Sequence, residues 1–344
     1  MGGAPYDTHQ GMRTPPRLLY ALRELPWPAD WEALFGRDAP LIVELGFGNG
    51  RFLAELARQH PEANLVGVER AVWPCRRTEA RLRKAGLTNV RLIHGEARAA
   101  LAYLFRPGTI QALYINFPDP WPKDRHAHRR LITPDFIRLV ADQMAPGGRL
   151  TIATDVAEYA EQIAAALEGE PRLVSAFERP WVPELPGRTP TKYEEKAIAA
   201  GRPRFYFLWR RRETLPPRHQ PVPIPEEVPM PHVTLRAPLT VETIAQAFRP
   251  VVWREGGAII RLRRLYRAWE KEELLIEAVV VEGPLTQIVG LLVYRQPEGT
   301  WLVRPSPVGQ PRPTPGLKVA VARLARWLQE LVPESEVVYS NVAL

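Results

Sequence analysis

The stretch Leu41-Ile-Val-Glu-Leu-Gly-Phe-Gly-Asn-Gly50, running into Arg51-Phe-Leu-Ala-Glu-Leu-Ala-Arg-Gln59, decides the fold. Leu41 to Leu45 is a short, nearly continuous apolar run, the pattern of a strand buried on both faces. Three alternate glycines follow, and then Phe52, Leu53, Leu56 and Ala57 recur at helical spacing, with Pro61 beyond the end. This predicts strand, glycine turn and helix in immediate succession.

The alternation continues outward from that unit. Strands are expected at Ala63 to Val68, Val90 to Ile93, Ile110 to Phe117 and Leu150 to Ala153. Helices are expected at Val72 to Ala85, Ala97 to Leu104, Thr133-Pro134 to Met144 and Val156 to Leu167, with Pro146-Gly-Gly148 as a stop. Arg172 to Phe177 and Phe205 to Arg210 read as two last strands with a long loop and no helix between them. Strands alternating with helices of this length imply an α/β, doubly wound, mostly parallel sheet. Residues 1–37 read as a poorly periodic N-terminal arm and 38–214 as the α/β domain. From 215 to 231 the chain is a Pro-rich linker, with seven prolines between Pro216 and Pro231. The rest, 232–344, groups strands between helices at Val241 to Phe248 and Gly316 to Leu331, as a small α+β domain does.

Composition narrows the class. The chain has 344 residues and a net charge of +8, and a single cysteine, Cys75, excludes an intrachain disulfide. Neither a secretory leader nor an apolar run long enough for a membrane helix is visible. A cytoplasmic protein is the expectation. A basic surplus favours polyanionic partners. It is not concentrated in residues 216–344, which hold 15 Lys/Arg and 13 Asp/Glu, +2 of the total.

Ligands of an open parallel sheet bind beyond the carboxyl ends of its strands. A carboxylate is expected there on five strands in turn: Glu44, Glu69, Glu96, Asp119 and Asp155. The turn Gly46-x-Gly48-x-Gly50 has its third glycine one residue early for a dinucleotide site, and Glu44 would repel a pyrophosphate. The pattern suits a ligand with a cationic amino-acid end, such as S-adenosylmethionine, with Glu69 on the ribose hydroxyls and Glu96 near the adenine. Asp119 lies between two prolines, which restrict its backbone. Beyond it, Lys123, Arg125, Arg129 and Arg130 form a basic run beside the expected ligand site, which favours phosphate contacts over an idle solvated face. His126 and His128 lack a third ligand nearby, so no metal site is expected.

Glu44-Leu-Gly-Phe-Gly-Asn-Gly50, Gly67-Val-Glu69, Phe117-Pro-Asp-Pro-Trp-Pro-Lys-Asp-Arg-His-Ala-His-Arg-Arg130, Ala153-Thr-Asp155 and Thr191-Lys-Tyr-Glu194 together resemble the bacterial tRNA (guanine-N7-)-methyltransferase family. The likeness covers about residues 38 to 212. It implies a class I methyltransferase fold, S-adenosylmethionine as cofactor and tRNA as partner, with methylation of guanine 46 in the variable loop to 7-methylguanosine. By matching positions, Glu44, Gly46, Gly48, Gly50, Glu69, Glu96 and Asp119 would line the cofactor site. Lys123, Asp155, Thr191, Lys192, Tyr193 and Glu194 would contact the substrate, and Arg125, His126, His128, Arg129 and Arg130 the RNA. Asp119 is the candidate catalytic residue. Glu96 and His128 depart from the residues common in the family, Asp or Asn and Lys respectively. The competing readings are a methyltransferase of an exocyclic adenine amine and a tRNA-binding protein with a relic cofactor fold. The likeness leaves 216–344 without a role, and a monomer is the expectation.

Overall fold

The computed structural model describes residues 16–188, 190–214 and 224–344. Its elements, in chain order, are Leu19–Ala21 (β1), Trp31–Phe35 (α1), Leu41–Leu45 (β2), Arg51–Gln59 (α2), Asn64–Glu69 (β3), Val72–Lys84 (α3), Val90–His94 (β4), Ala97–Leu104 (α4), Ile110–Asn116 (β5), Pro134–Gln143 (α5), Met144–Thr154 (β6) and Ala157–Glu168 (α6). Leu173–Ser175 (β7), Lys192–Ala199 (α7) and Phe205–Arg211 (β8) complete the first half. The second half comprises Val233–Arg236 (β9), Val241–Ala247 (α8), Val251–Glu255 (β10), Ala258–Arg267 (β11), Glu273–Glu282 (β12), Leu285–Arg295 (β13), Trp301–Pro305 (β14), Pro315–Leu331 (α9) and Glu336–Ser340 (β15).

The first sheet runs β1-β4-β3-β2-β5-β6-β8-β7. Its first six strands pair in parallel, and β8 lies antiparallel between β6 and β7. The order reverses at β2, so the glycine turn after β2 and the exit of β5 sit side by side at a topological switch point. All five residues of β2 are buried, Glu44 included, because helices cover both faces.

Three expectations need correction. First, residues 16–37 of the expected arm are part of the α/β domain: β1 adds a parallel strand to β4, with Leu19 opposite Leu92, and α1 is capped by Asp30, whose carboxylate accepts from Ala33 N at 2.9 Å. Trp27 stacks on Tyr103 at 4.5 Å and Trp31 on Phe105 at 5.1 Å, so this segment is core. Residues 1–15 of the arm lie outside the described residues, as do 215–223 of the expected linker. Second, the stretch between β7 and β8 contains α7. Thr191 Oγ1 accepts from Glu194 N at 3.1 Å while Glu194 accepts from Thr191 N at 3.2 Å, the reciprocal cap that starts a helix. Third, β6 begins at Met144, before the glycine pair. Gly147 takes φ +74 and the register shifts there, so Pro146-Gly-Gly148 is an irregularity within the strand.

The second sheet, β10-β11-β12-β13-β14-β9-β15, is wholly antiparallel. One face buries Ile260, Leu274, Ile276, Leu291, Val293 and Trp301 against α9. It is the α+β domain expected after the prolines. Its contact with the first half centres on Arg312, whose guanidinium stands 3.8 Å from the Trp27 ring and donates to Leu25 O at 2.6 Å. Among the described residues, no helix is long and apolar enough to cross a membrane.

Candidate active site

The end of β2 sets the site. Gly46, Gly48 and Gly50 all have positive φ, +76, +53 and +67. A side chain would strain each of these turns. At Gly50 space is closed as well: a Cβ would lie 2.2 Å from the Thr78 methyl on α3. Glu69, at the end of β3, ties the loop down from the neighbouring strand. Its two oxygens accept from Gly48 N at 3.1 Å and Ala71 N at 2.9 Å. A carboxylate has about four acceptor positions, so two remain for a ligand's hydroxyls.

Glu44 is 2% exposed. One of its oxygens accepts from Asn116 Nδ2 at 2.9 Å, and the other, also buried, has no hydrogen-bond partner among the described residues. Burial pushes its carboxyl up to about 7, against the opposing pull of the Asn116 hydrogen bond and the Arg188 guanidinium, and nearby Glu69 pushes the same way. An orphaned buried oxygen on a half-protonated acid is an uncompensated acceptor, which a cationic donor would satisfy.

Asn116, the last residue of β5, carries the connection across the sheet. Its side-chain oxygen accepts from Arg188 Nη2 at 2.5 Å, and Arg188 Nε in turn donates to Glu194 Oε2 at 3.2 Å. The Tyr206 hydroxyl on β8 donates to the other Glu194 oxygen at 2.6 Å. A continuous chain, Glu44-Asn116-Arg188-Glu194-Tyr206, therefore links the end of β2 to the start of α7. Arg188 also lies over the Phe52 ring at 4.9 Å. Beside this chain, Arg51 at the start of α2 pairs with Glu195 at 2.6 Å.

After Asn116 the backbone turns sharply. Phe117 and Trp121 take φ of 50 and 42, rare for residues with side chains, and between them Pro118 and Pro120 bracket Asp119. Asp119 is exposed at the apex. Arg130 fixes this turn from beneath. It is 6% exposed, donates to Pro120 O at 2.8 Å, Gln162 at 2.7 Å and Glu158 at 2.7 Å, and lies over Tyr159. Arg130 is thus turned inward, a correction to its place in the expected RNA surface: the α6 side chains outcompete solvent for it. Lys123, Arg125, His128 and Arg129 are exposed around the 3-10 turn Asp124–Arg129, with Arg129 over the Trp121 ring at 5.0 Å and His126 edge-on to it at 6.0 Å.

The other expected residues divide. Glu96 is half-buried at the N-cap of α4 and makes no capping bond. Asp155, mostly buried after β6, is ion-paired with Arg202. Thr191 and Glu194 are buried as the α7 cap, while Tyr193 projects outward, 61% exposed. The Lys192 side chain lies outside the described part.

Residues 38–207 match a family model described as a putative methyltransferase. Three relatives carry the name tRNA (guanine-N(7)-)-methyltransferase. The Thermotoga maritima protein is 31% identical, over 88% of this chain and 93% of its own. The Deinococcus radiodurans protein is 34% identical, over 91% and 97%, and the Thermus thermophilus protein 36%, over 88% and 93%. The chain belongs to the tRNA (guanine-N7-)-methyltransferase family. It has the class I methyltransferase fold and is an S-adenosylmethionine-dependent methyltransferase. The Thermotoga alignment spans 303 of 344 residues, leaving 41 outside, so the similarity extends well into residues 232–344.

Asn116, Arg188 and Tyr206 were missed by sequence reasoning. Asn116 had a signal, a polar residue closing an otherwise apolar strand. Arg188 and Tyr206 had none, since only folding brings them to Glu194.

Proposed function

We propose that this protein transfers the methyl group of S-adenosylmethionine to N7 of guanine 46 in the tRNA variable loop, forming 7-methylguanosine. The unpartnered Glu44 oxygen carries this reading, because it is buried at the end of β2, two residues before the glycine turn, and calls for a cation there. The relatives' shared name supplies the nucleic acid and the ring position. Glu44 would hold the cofactor's amino-acid end, and Glu69 would accept from the ribose with its remaining lone pairs. Glu96 would lie near the adenine.

When bound, S-adenosylmethionine supplies an electrophilic sulfonium methyl. Guanine N7 offers a lone pair and carries no proton, so none of the chain's residues need act as a base. Their work is alignment and charge. Asp119, on a turn held by two prolines and Arg130, stabilises the positive charge that develops on the purine. Glu194, already aligned by Tyr206 and Arg188, and Asp155 accept from the guanine N1–H and amino group. Lys123 holds a phosphate or base edge, and Arg125, His126, His128 and Arg129 face the RNA.

Incubation with a tRNA transcript and the cofactor, followed by digestion to nucleosides, should yield 7-methylguanosine, and a transcript with guanine 46 replaced should yield none. A methylated adenine, or product from the altered transcript, would overturn the reading. Asp119→Ala should abolish transfer while leaving tRNA retention nearly intact. Turnover at the wild-type rate in that variant would remove Asp119 from the chemistry.

A further inference from the structure

The second sheet has one face under α9 and one face open. Alternation along β11 sends Ala258, Ile260 and Leu262 inward and Arg261 outward. The bulge between Leu262 and Arg264 resets the register so that Arg264 and Tyr266 also point to the open side, opposite Glu277 and Leu275. Leu275 is opposite Leu292, and Leu292 is opposite Arg304, which places Arg304 on the same face two strands further on. Arg254, opposite Ile259, extends it onto β10.

The charges on this face do not balance. Its acids on β12 are Glu273, opposite Tyr294, and Glu277, which is ion-paired with Arg263 at 3.3 Å, and the arginines outnumber them. Arg254, Arg261, Arg264 and Arg304 form no ion pair among the described residues. Aromatic groups lie among them: Arg304 stands 6.0 Å from the Tyr294 ring, and Tyr266 follows Arg264 on the same face of β11. Tyr266 is 46% exposed, and Trp269, in the turn joining β11 to β12, is 87% exposed. Three strand spacings, roughly 14 Å, separate the strand of Arg264 from that of Arg304. Cations spread so widely suit a polyanion better than a single small ion. Planar guanidiniums interleaved with aromatic rings suit phosphates and unstacked bases. A second copy of the chain fits poorly, since face-to-face packing would set one row of arginines against another.

We infer that the open face of the second sheet is a further tRNA-binding surface, gripping the RNA away from the methylated base. This rests on tRNA being the substrate. It gives residues 232–344 a role in affinity, separate from the chemistry at the first sheet.

The test is the full-length Arg261→Gln, Arg264→Gln, Arg304→Gln triple variant. Arg264 and Arg304 are exposed and Arg261 is half-buried on the open face, and glutamine keeps a polar head at each, so the melting temperature and the affinity for S-adenosylmethionine should stay close to wild type. The KM for tRNA at physiological salt should rise by about tenfold or more, with kcat at saturating tRNA unchanged. The slope of log affinity against log salt should fall by roughly 2–3. If the triple variant melts early, the single Arg304→Gln variant carries the test, with an expected slope change of about 1. An unchanged KM and slope, in a protein whose wild type makes 7-methylguanosine, would overturn the inference alone. A wild type that makes no 7-methylguanosine would instead overturn the proposed function. A wild-type dimer that the variant dissociates in sedimentation would assign the face to a second copy and likewise sink the inference.

Discussion

Replacing Glu44 with Gln isolates the electrostatic cost of the pocket proposed for the cofactor. In the folded chain the Glu44 carboxyl is raised from 4.5 to about 7, chiefly by burial. The folded state therefore holds this proton more tightly than the unfolded chain does. Below about pH 4.5 both states are protonated and the group contributes its full share of stability. As pH rises through 7 that share is lost. The shift of about 2.5 pH units corresponds to about 3 kcal/mol at 1.36 kcal/mol per unit. Since Glu44 is 2% exposed, solvent screening does not reduce this figure much. Unfolding of the ligand-free protein by urea, followed from pH 4.5 to 8, should show wild type losing about 3 kcal/mol relative to Glu44→Gln. The glutamine keeps the acceptor for Asn116 and removes the titration, so any fixed packing cost cancels from the slope. Parallel curves for the two proteins would refute the argument. A second arm uses the cofactor. At pH 6, binding of S-adenosylmethionine to wild type should release close to one proton, read by calorimetry in buffers of different ionisation enthalpy, and the variant should release none.

Three further outcomes follow from the same geometry. Gly50→Ala combines a left-handed backbone with a Cβ 2.2 Å from the buried Thr78 methyl. It should cost roughly 2–5 kcal/mol, measured by denaturant unfolding, and weaken cofactor binding with it. Arg130→Ala removes bonds to Pro120 O, Gln162 and Glu158. Glu158 can hydrate, so the stability loss should be only about 1–3 kcal/mol, but kcat should fall with Asp119 unmoored while the salt dependence of tRNA binding stays put. Asn116→Ala cuts the chain between Glu44 and Arg188 and should raise the pH midpoint for S-adenosylmethionine binding above that of wild type. An unchanged midpoint would show that Asn116 does not hold Glu44 down.

The β/α alternation was legible because each strand is a short apolar run and each helix carries its own period, start and stop. The residues proposed for the cofactor stood out for a related reason: Glu44, Glu69 and the glycines lie at strand ends, positions that the local pattern already marks, and the structure puts them there. The N-terminal segment was not. Trp27 and Trp31 are core, but their partners, Tyr103 and Phe105, lie some seventy residues downstream, and nothing periodic announces them. Helix α7 escaped because, among its described side chains, only Glu194 and Ala197 are buried, so it has scarcely any apolar stripe. The Thr191-x-x-Glu194 spacing was a capping signal all the same. Arg130 belongs to a charge run that is otherwise exposed. Its burial is decided by Glu158 and Gln162 on another helix, information that no local window contains.

Charge sorting by depth gives the molecule a direction. The chain is +8 overall, yet the ends of its parallel strands hold Glu44, Glu69, Glu96 and Asp155, with Arg188 and Arg202 as the cations set against them. Around the strand ends these acids lie deeper than the cations displayed along Lys123 to Arg129 and across the open second sheet. A polyanion is drawn to the outer cations from a distance. The inner carboxylates would repel its phosphates and so disfavour RNA in the pocket proposed for the cofactor. In the proposed reaction, methyl transfer would remove the sulfonium charge from among these carboxylates and place a positive charge on the purine, beside Asp119. The field of the strand-end acids would then act on one cation fewer in the pocket, which would favour exchange of product for fresh cofactor. One arrangement of buried acids would thus serve binding, charge stabilisation and turnover, with Glu44, the least compensated of them, most sensitive to which ligand is present.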